Sequence, residues 1–192
     1  KCARKFVELK KRAENDPHAR KYVNMALYCG TLGQCKRPKQ ERFEELKQRA
    51  KTDPDAAKYV NRALFEGKLG QDERPEQERF EELKQRAETD PDAAKYVNRA
   101  LYYYATLGQS TRSRQERFEE LKQRAETDPD AGRYVNRALY EEVWKKDVLL
   151  YHGRLGQNER PEQERFEELK QRAKTDPDAG RYVNRALFEG RL

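Results

Sequence analysis

The chain has 192 residues, of which 40% are charged, and its mean hydropathy is −1.31. No apolar run approaches the length of a membrane-spanning helix and no signal-peptide pattern opens the sequence, so we expect neither feature. The net charge of +7 belongs to residues 1–40, which contain 11 Lys or Arg and 3 Asp or Glu, so a nucleic-acid-binding function is disfavoured for the rest of the chain.

One sequence block is repeated five times along the chain. The block ERFEELKQRA begins at Glu41, Glu78, Glu116 and Glu164, and a divergent copy begins at Arg4. A second block, DPDAAKYVNRAL or a close variant, follows each copy. This periodicity argues against the disorder that composition alone would suggest. The sequence predicts a single repeat domain over residues 1–192, with repeats at about 1–37, 38–74, 75–112, 113–160 and 161–192.

Each repeat is predicted to form two α-helices. In the first, Phe43, Leu46 and Ala50 recur at helical spacing and form one apolar stripe. The second begins at Asp53-Pro54, because Asp is a favoured N-cap and Pro fits the first turn. Its predicted buried residues are Tyr59, Val60, Ala63 and Leu64. The predicted helices cover residues 3–14, 17–29, 38–52, 54–66, 75–89, 91–105, 113–126, 128–152, 161–174 and 176–190.

The apolar stripe of each helix is narrow. Neither helix has enough apolar surface to be stable alone, so each must pack against its partner and against neighbouring hairpins. The predicted fold is therefore all-α, an α-solenoid of five stacked antiparallel helix pairs. The last hairpin, ending FEGRL, is as regular as an internal one, which suggests a longer or truncated parent array.

The repeat resembles the Sel1-like branch of the tetratricopeptide superfamily when it is aligned from the second helix of one repeat into the first helix of the next. The matching positions are Ala50, residues 53–56, Ala57, Tyr59, Leu64, Phe65, Gly67, Leu69 and Asp72. Asn61-Arg62 stands where that family has Leu-Gly. The resemblance implies a right-handed superhelix that acts as an adaptor or binding surface, and it implies no catalytic residue.

The repeats differ from one another chiefly after the second helix. The third repeat continues as YYYATLGQ from Tyr102, where the second has FEGKLGQ from Phe65. The fourth repeat carries an insertion of 11 residues after Tyr140, close to three helical turns, which places Leu139 and Leu150 in the same helical phase. We therefore predict that this helix extends to residue 152.

Aromatic and aliphatic residues of these two segments form the candidate partner-binding site. They are Tyr102, Tyr103, Tyr104, Tyr140, Val143, Trp144, Val148, Tyr151 and His152. Two interpretations are compatible with the pattern. The stripe around Trp144 either closes a local core on residues 102–104, or it projects as an exposed surface of the kind that supplies interface hot spots.

Three cysteines lie in or beside the first repeat. Cys29 and Cys35 flank one interhelix loop, and a disulfide between them is sterically plausible, as is a disulfide between Cys2 and Cys35. Free buried thiols fit the sequence as well. A bridge would favour a secreted protein, and reduced thiols a cytoplasmic one.

Catalytic and metal-binding residue sets are missing from the sequence. The only histidines are His18 and His152, and the only serines are Ser110 and Ser113, so neither a zinc site nor a Ser/His/Asp triad can be assembled. The Glu44-Glu45 pair recurs on a charged helix face and is interpreted as surface charge. We therefore expect no enzyme activity, no cofactor and no small-molecule substrate.

A protein-binding scaffold is the leading functional hypothesis, with contacts centred on residues 102–106 and 140–152. One alternative is an electrostatic binder of nucleic acid or an anionic glycan through residues 1–40, which steep salt dependence would reveal. Another is a structural, antigenic or consensus-engineered array without a discrete ligand. The partner is therefore expected to be another protein.

Overall fold

The computed structural model describes residues 2–103, 106–141 and 155–189. These residues form ten α-helices and short 3-10 turns, with no β-strand, and they confirm the predicted all-α fold of helical hairpins. The helices are α1 (Cys2–Arg12), α2 (Pro17–Cys29), α3 (Lys39–Ala50), α4 (Pro54–Glu66), α5 (Glu76–Ala87), α6 (Pro91–Tyr102), α7 (Arg114–Arg124), α8 (Pro129–Glu141), α9 (Glu162–Arg172) and α10 (Pro177–Phe188).

The ends of the helices follow local sequence signals. Asp53 caps α4 by accepting a 3.0 Å hydrogen bond from the backbone N–H of Asp55, and Pro54 occupies the first turn, as predicted. Gly67 ends α4 in the left-handed region at φ 66°. Helix α6 ends at Tyr102, three residues before the predicted end. Helix α8 is described to Glu141, and the remainder of its predicted extension lies outside the described residues.

Hairpin packing buries the predicted apolar faces. Helix α1 packs against α2, α3 against α4, α7 against α8 and α9 against α10, and second helices of consecutive repeats also meet, α2 with α4 and α8 with α10. The predicted core residues Phe43, Leu46, Val60, Ala63 and Leu64 are at most 1% exposed. Tyr59, which was also predicted to be buried, is only half-buried. The chain divides into two compact units, residues 1–96 and 97–192.

A buried asparagine links the second helix of one repeat to the next repeat. The side-chain oxygen of Asn24 accepts a 2.7 Å hydrogen bond from Arg49 Nε, and its amide nitrogen donates to Asp53 Oδ2 and Asp55 Oδ2 at 2.8 and 3.0 Å. Asn24 has no exposed surface. Because every polar atom of the amide is satisfied, its burial stabilises the junction instead of opposing it. The same pattern occurs around Asn61, Asn98 and Asn136.

Aromatic rings cross the same junctions. The ring of Tyr28, at the end of α2, lies 5.1 Å from the ring of Tyr59 in α4, with an interplanar angle of 41°. Tilted pairs at this separation add stabilisation beyond the apolar area they bury. Equivalent pairs, at 4.9 to 5.1 Å, are Phe65 with Tyr96, Tyr102 with Tyr134 and Tyr140 with Tyr182. Near the end of α2, α4, α6 and α8, an aromatic residue therefore packs on a tyrosine of the next repeat.

Candidate recognition site

A buried arginine fixes the end of each of the second helices α2, α4, α6 and α8. Arg79 of α5 is 6% exposed, and its Nη1 donates a 2.8 Å hydrogen bond to the carbonyl oxygen of Leu64. That carbonyl lies in the last turn of α4, where backbone acceptors lack helical partners. The arginine passes so close to Gly67 that a Cβ there would lie 3.3 Å from Arg79 Nη1. Equivalent bonds join Arg42 to Leu27, Arg117 to Leu101 and Arg165 to Leu139.

The chain then turns through two consecutive left-handed residues. In the second repeat these are Leu69 at φ 58° and Gly70 at φ 82°. The left-handed conformation costs a non-glycine residue about 1–2 kcal/mol, and burial of the Leu69 side chain, which is 5% exposed, opposes that cost. Leu32, Leu107 and Leu155 occupy the same conformation. The turn directs the following Gln71 into the interior, where it has no exposed surface.

The 3-10 turn at Gln71–Glu73 is connected by polar contacts to α5, the first helix of the next repeat. Arg74 Nη1 donates to Gln71 Oε1 at 2.9 Å and to Glu82 Oε2 at 2.8 Å. Lys47 of the preceding repeat contacts Glu82 Oε1 at 3.0 Å. Burial disfavours ionisation of Glu82, but the hydrogen bonds from Arg74 and Lys47 outweigh it and lower the pKa of this carboxyl. The equivalent Glu45 and Glu168 also have lowered pKa values.

The two residues after the buried glutamine differ from repeat to repeat. They are Cys35-Lys36, Asp72-Glu73, Ser110-Thr111 and Asn158-Glu159. All of these side chains that the structure describes are exposed. The shared Gln and Arg of the same turn are buried or half-buried. Shared residues therefore hold the turn, while the differing residues present a basic, acidic or uncharged pair at the same place in different repeats.

The second repeat holds an acidic side chain over the aromatic residue of the first. Glu66 accepts hydrogen bonds from Tyr28 Oη at 3.0 Å and Arg62 Nε at 2.8 Å, and Lys68 Nζ lies 2.6 Å away. Although burial opposes its ionisation, these contacts lower the pKa of Glu66 to about 2. Burial and the bond to Glu66 raise the pKa of Tyr28. In the fourth repeat, Tyr140 Oη donates to Glu189 Oε2 at 3.0 Å.

The predicted partner-binding residues that the structure describes differ in their exposure to solvent. Tyr102 and Tyr140 are 3% and 6% exposed, because each stacks on the tyrosine of the next repeat. Their assignment to a partner-binding site stays a prediction. Tyr103 is 39% exposed. Tyr104, Val143, Trp144, Val148, Tyr151 and His152 lie outside the described residues.

The thiols of Cys29 and Cys35 are free. Cys29 and Cys35 are exposed thiols, so neither the predicted disulfide between them nor the alternative of buried thiols is present. Cys29 is the last residue of α2, and Cys35 is in the 3-10 turn beyond Gly30. The turn places Cys35 at an outward position, equivalent to Asp72 in the second repeat. The positions of the two cysteines on either side of one loop are therefore not enough to predict a disulfide, because its formation depends on the directions of the side chains.

Several basic residues of the first repeat are engaged in ion pairs. Lys10 Nζ lies 2.8 Å from Glu45 Oε1, and Arg37 Nη1 lies 2.7 Å from Glu45 Oε2. Arg12 Nη2 lies 3.7 Å from Asp16 Oδ2. Part of the positive charge of residues 1–40 is therefore neutralised within the repeat array.

Within the described part of the chain, no group of three or more His, Cys, Asp or Glu side chains is arranged to hold a metal ion. None of the described helices is long and apolar enough to cross a membrane. Comparison with known proteins identified no relative of this chain. No protein-family model, curated protein sequence or solved structure matches this chain. The resemblance to Sel1-like repeats stays a prediction.

Sequence reasoning missed the buried polar residues that build the turn and the junctions. Asn61 lies four residues after Ala57 and three before Leu64, which places it on the buried stripe of α4. That position, repeated in all five copies, was the available signal. No comparable signal distinguished Arg79 or Gln71 from the surrounding surface residues, because their burial depends on contacts with other elements.

Proposed function

We propose that the chain is a protein-binding helical-repeat scaffold whose recognition surface includes the variable segments after α6 and α8, residues 102–106 and 140–152. One observation carries the proposal. In the turn that follows the second helix, the shared Gln and Arg are buried or half-buried, whereas the exposed residues between them differ in charge and size from repeat to repeat. Such an arrangement lets one scaffold present a distinct surface in each repeat. A non-catalytic role is part of this proposal.

Tyr103 supports an aromatic contact in the third repeat. Its ring meets Tyr102 edge to face at a centroid distance of 5.0 Å and an interplanar angle of 88°. The guanidinium carbon of Arg99 lies 6.0 Å from the Tyr103 ring centroid. A tyrosine ring held in this way offers contact area at a small cost in conformational entropy. Because Tyr102 is buried, it contributes to the surface only by packing against the ring of Tyr103.

The charges of the exposed residue pairs in the 3-10 turns favour a protein as the binding partner over a polyanion. The exposed pair is Cys35-Lys36 in the first repeat, Asp72-Glu73 in the second and Ser110-Thr111 in the third. A polymer of phosphates is bound through a succession of basic groups, and acidic side chains oppose it. A folded protein can complement basic, acidic and uncharged patches at separate places.

The proposal is tested by affinity capture with a chain whose variable segments are reset. Residues 102–109 and 140–157 are each replaced by FEGKLGQ, the segment that the scaffold accepts at residues 65–71. Phe65 stacks at the position of Tyr102, so we expect the reset chain to keep its helical content and unfolding midpoint. Proteins captured by the intact chain should be lost from the reset chain.

A matched control resets residues 28–34 of the first repeat to the same sequence. Capture should survive this change, because the proposed surface lies in the third and fourth repeats. Equal capture by all three chains would contradict the proposal. Loss of binding only in the first-repeat variant, together with steep salt dependence, would instead favour the electrostatic alternative.

Single substitutions locate the contact within the segments. Tyr103→Ala and Trp144→Ala should each weaken binding of a captured protein by about 30-fold or more if they are hot spots, while the free energy of unfolding stays unchanged. Lost stability with unchanged affinity would show that the Trp144 stripe is a local core. That result would overturn the binding role of the extension.

A further inference from the structure

The sulfur-containing side chains of this protein are concentrated in one short segment. The only methionine, Met25, and two of the three cysteines, Cys29 and Cys35, lie within residues 25–35. At the equivalent positions, every other repeat has side chains that end in oxygen or nitrogen atoms. Cys29 and Cys35 are free and exposed, and Met25 is 42% exposed. The first repeat therefore presents one thioether and two thiols from the end of α2 and the turn that follows it.

We propose that Met25, Cys29 and Cys35 together bind a soft monovalent metal ion, copper in the form of Cu(I). Thiolate and thioether sulfur atoms are the protein ligands that select this ion. Structural zinc sites, by contrast, use four thiolate or imidazole ligands. The proposal does not involve the variable segments after α6 and α8, so it is independent of the proposed function.

Met25 and Cys29 lie one turn apart on α2. Side chains four residues apart on a helix share one face, and their Cβ atoms are about 5–6 Å apart. The equivalent side chains of α4 are in contact, with Arg62 Nε 2.8 Å from Glu66 Oε1. Metal–thiolate bonds are about 2.3 Å long in zinc sites, so two bonds of this kind match the separation. The backbone of α2 therefore allows both sulfur atoms to ligate one ion without moving.

The turn after α2 returns Cys35 to the end of the helix that carries Cys29. A Cβ atom on Gly30, the residue after Cys29, would lie 3.5 Å from Cys35 Cα. Gly30 is in the left-handed conformation, at φ 74°. A disulfide requires a sulfur–sulfur distance of about 2.05 Å and a narrow range of side-chain directions. A shared metal ion holds two sulfur atoms further apart, so thiols that form no disulfide are still able to share an ion.

These positions are open to solvent within the repeat array. Arg62 and Glu66 hold the positions of Met25 and Cys29 in the second repeat, which has a described repeat on each side. Their side chains are 49% and 30% exposed. Asp72, at the position of Cys35, is exposed as well. Exposure is thus a property of these positions in the array itself, and an ion has access to them there.

A buried cation beside the turn complements the charge of the loaded site. A Cβ atom on Gly30 would lie 3.0 Å from Arg42 Nη1. Arg42 is 7% exposed, and its Nε has no hydrogen-bond partner in the part of the chain that the structure describes. In the second repeat Glu76 lies 3.8 Å from the equivalent Arg79, whereas the first repeat has Lys39 at that position. Two thiolates and one Cu(I) ion carry a net negative charge, which the neighbouring guanidinium stabilises.

Binding exchanges protons for the metal ion. Cysteine ligates a metal as the thiolate, so Cys29 and Cys35 each release one proton to solvent when Cu(I) binds. The thioether of Met25 binds without releasing a proton. No electron is transferred, because copper enters and remains as Cu(I). Free thiols persist under reducing conditions, and the same conditions keep copper in this form.

Anaerobic titration with Cu(I), in competition with a chelator of known affinity, tests the site. The intact chain should bind one ion tightly. Cys29→Ser, Cys35→Ser and Met25→Leu should each weaken binding by at least about 10-fold, the lower limit for loss of a group that merely orients a metal ligand. Unchanged affinity in Met25→Leu would overturn the assignment of three sulfur ligands. Cys2→Ser is the matched control, because it removes the remaining thiol, and it should leave the affinity unchanged.

A reset of all three positions separates metal binding from folding. Met25→Arg, Cys29→Glu and Cys35→Asp together install the residues of the second repeat. Because Arg62 and Glu66 form an ion pair in that repeat, the helical content and unfolding midpoint of the reset chain should stay close to those of the original. Its tight binding of Cu(I) should be lost. A reset chain that retains the tight site would overturn the proposal.

The repeat array also allows the site to be moved. In the reset chain, Arg62→Met, Glu66→Cys and Asp72→Cys place the same three sulfur atoms on α4 and its turn. Binding of one Cu(I) ion should return, because the helical spacing and the left-handed turn are the same in both repeats. A transplanted chain that keeps its fold and binds no Cu(I) would show that these three positions do not form a site.

The ligands of the bound ion provide the last test. X-ray absorption of the Cu(I)-loaded chain should show sulfur as the only neighbour of the ion. Zn²⁺ at the same concentration should not displace it, because three sulfur atoms do not complete the tetrahedral set that zinc prefers. Oxygen or nitrogen neighbours, displacement by Zn²⁺, or loss of binding in Cys2→Ser would each overturn the proposal. Met25→Leu should leave partner capture unchanged, so failure here is separable from failure of the proposed function.

Discussion

Asn61 in α4 accepts a 2.6 Å hydrogen bond from Nε of Arg86 in α5. The same amide donates to Asp90 Oδ2 at 2.8 Å, and Asn61 has no exposed surface. Two neighbouring repeats are therefore joined through one side chain whose polar atoms are satisfied only when both repeats are folded. A shared buried group of this kind couples the stability of adjacent repeats.

Removing this amide should destabilise the array. We expect Asn61→Ala to lower the free energy of unfolding by about 1–3 kcal/mol, because Arg86 and Asp90 lose a partner in a half-buried setting. Urea denaturation followed by circular dichroism, at a concentration where the chain is monomeric, measures the change. Asn184→Ala removes the same side chain from an exposed site and should change stability by less than about 0.5 kcal/mol. Equal losses in both variants would contradict the role of the clamp.

The leucine at the end of the second helix offers a comparison between a buried and an exposed copy. Leu64 is fully buried, and Leu187 is 60% exposed. Leu64→Ala should cost about 2–5 kcal/mol, since it leaves a cavity in a packed site. Leu187→Ala should cost well under half of that value in the monomer. The unfolding midpoints of the two variants in urea provide the measurement, and similar midpoints would disprove the difference in packing.

Glycine substitutions should have opposite effects at two positions. Gly132 lies within α8, where a Cβ would make ordinary contacts at 3.5 Å from Arg172 Nη2 and 3.6 Å from Asp176 Oδ2. Because Ala57 occupies this position in the second repeat, Gly132→Ala should stabilise the chain by about 0.4–1 kcal/mol. Gly67→Ala should destabilise it by about 1–2 kcal/mol, because φ there is 66°. Thermal unfolding of both variants checks the signs, and a shared sign would be inconsistent with this backbone geometry.

Acid should weaken the junction that contains Glu66. The pKa of this carboxyl is about 2 in the folded chain, against 4.5 for an unperturbed glutamate. The unfolded chain therefore takes up the proton first, and the stabilisation, complete above about pH 5, is lost as the pH falls towards 2. Unfolding midpoints at pH 7 and pH 2.5 should differ less in Glu66→Gln than in the original chain.

Tyr28→Phe is the intermediate control for the acid experiment, because it removes one of the hydrogen bonds that Glu66 accepts. The stability of this variant should depend on pH less steeply than that of the original chain and more steeply than that of Glu66→Gln. Superimposable profiles for all three chains would show that Glu66 is not responsible for acid sensitivity in this range.

The sequence by itself determined the repeat, the helices and most of the apolar core. Asp53-Pro54 specifies a helix start through its own side chains and backbone, and the spacing of Phe43 and Leu46 specifies which face is buried. These signals act over a few residues, so they can be recognised in the sequence without knowledge of the fold. Gly67 ended α4 for an equally local reason, the left-handed conformation that glycine accepts at φ 66°.

Only the tertiary structure decided the burial of Arg79 and Gln71, the stacking of Tyr102 and Tyr140, and the free state of Cys29 and Cys35. A charged or aromatic side chain is compatible with either solvent or interior. Its environment depends on the partner that approaches from another element, such as the Leu64 carbonyl for Arg79 or Tyr134 for Tyr102. That approach is set by packing between repeats, so a residue's position within its own helix cannot reveal it.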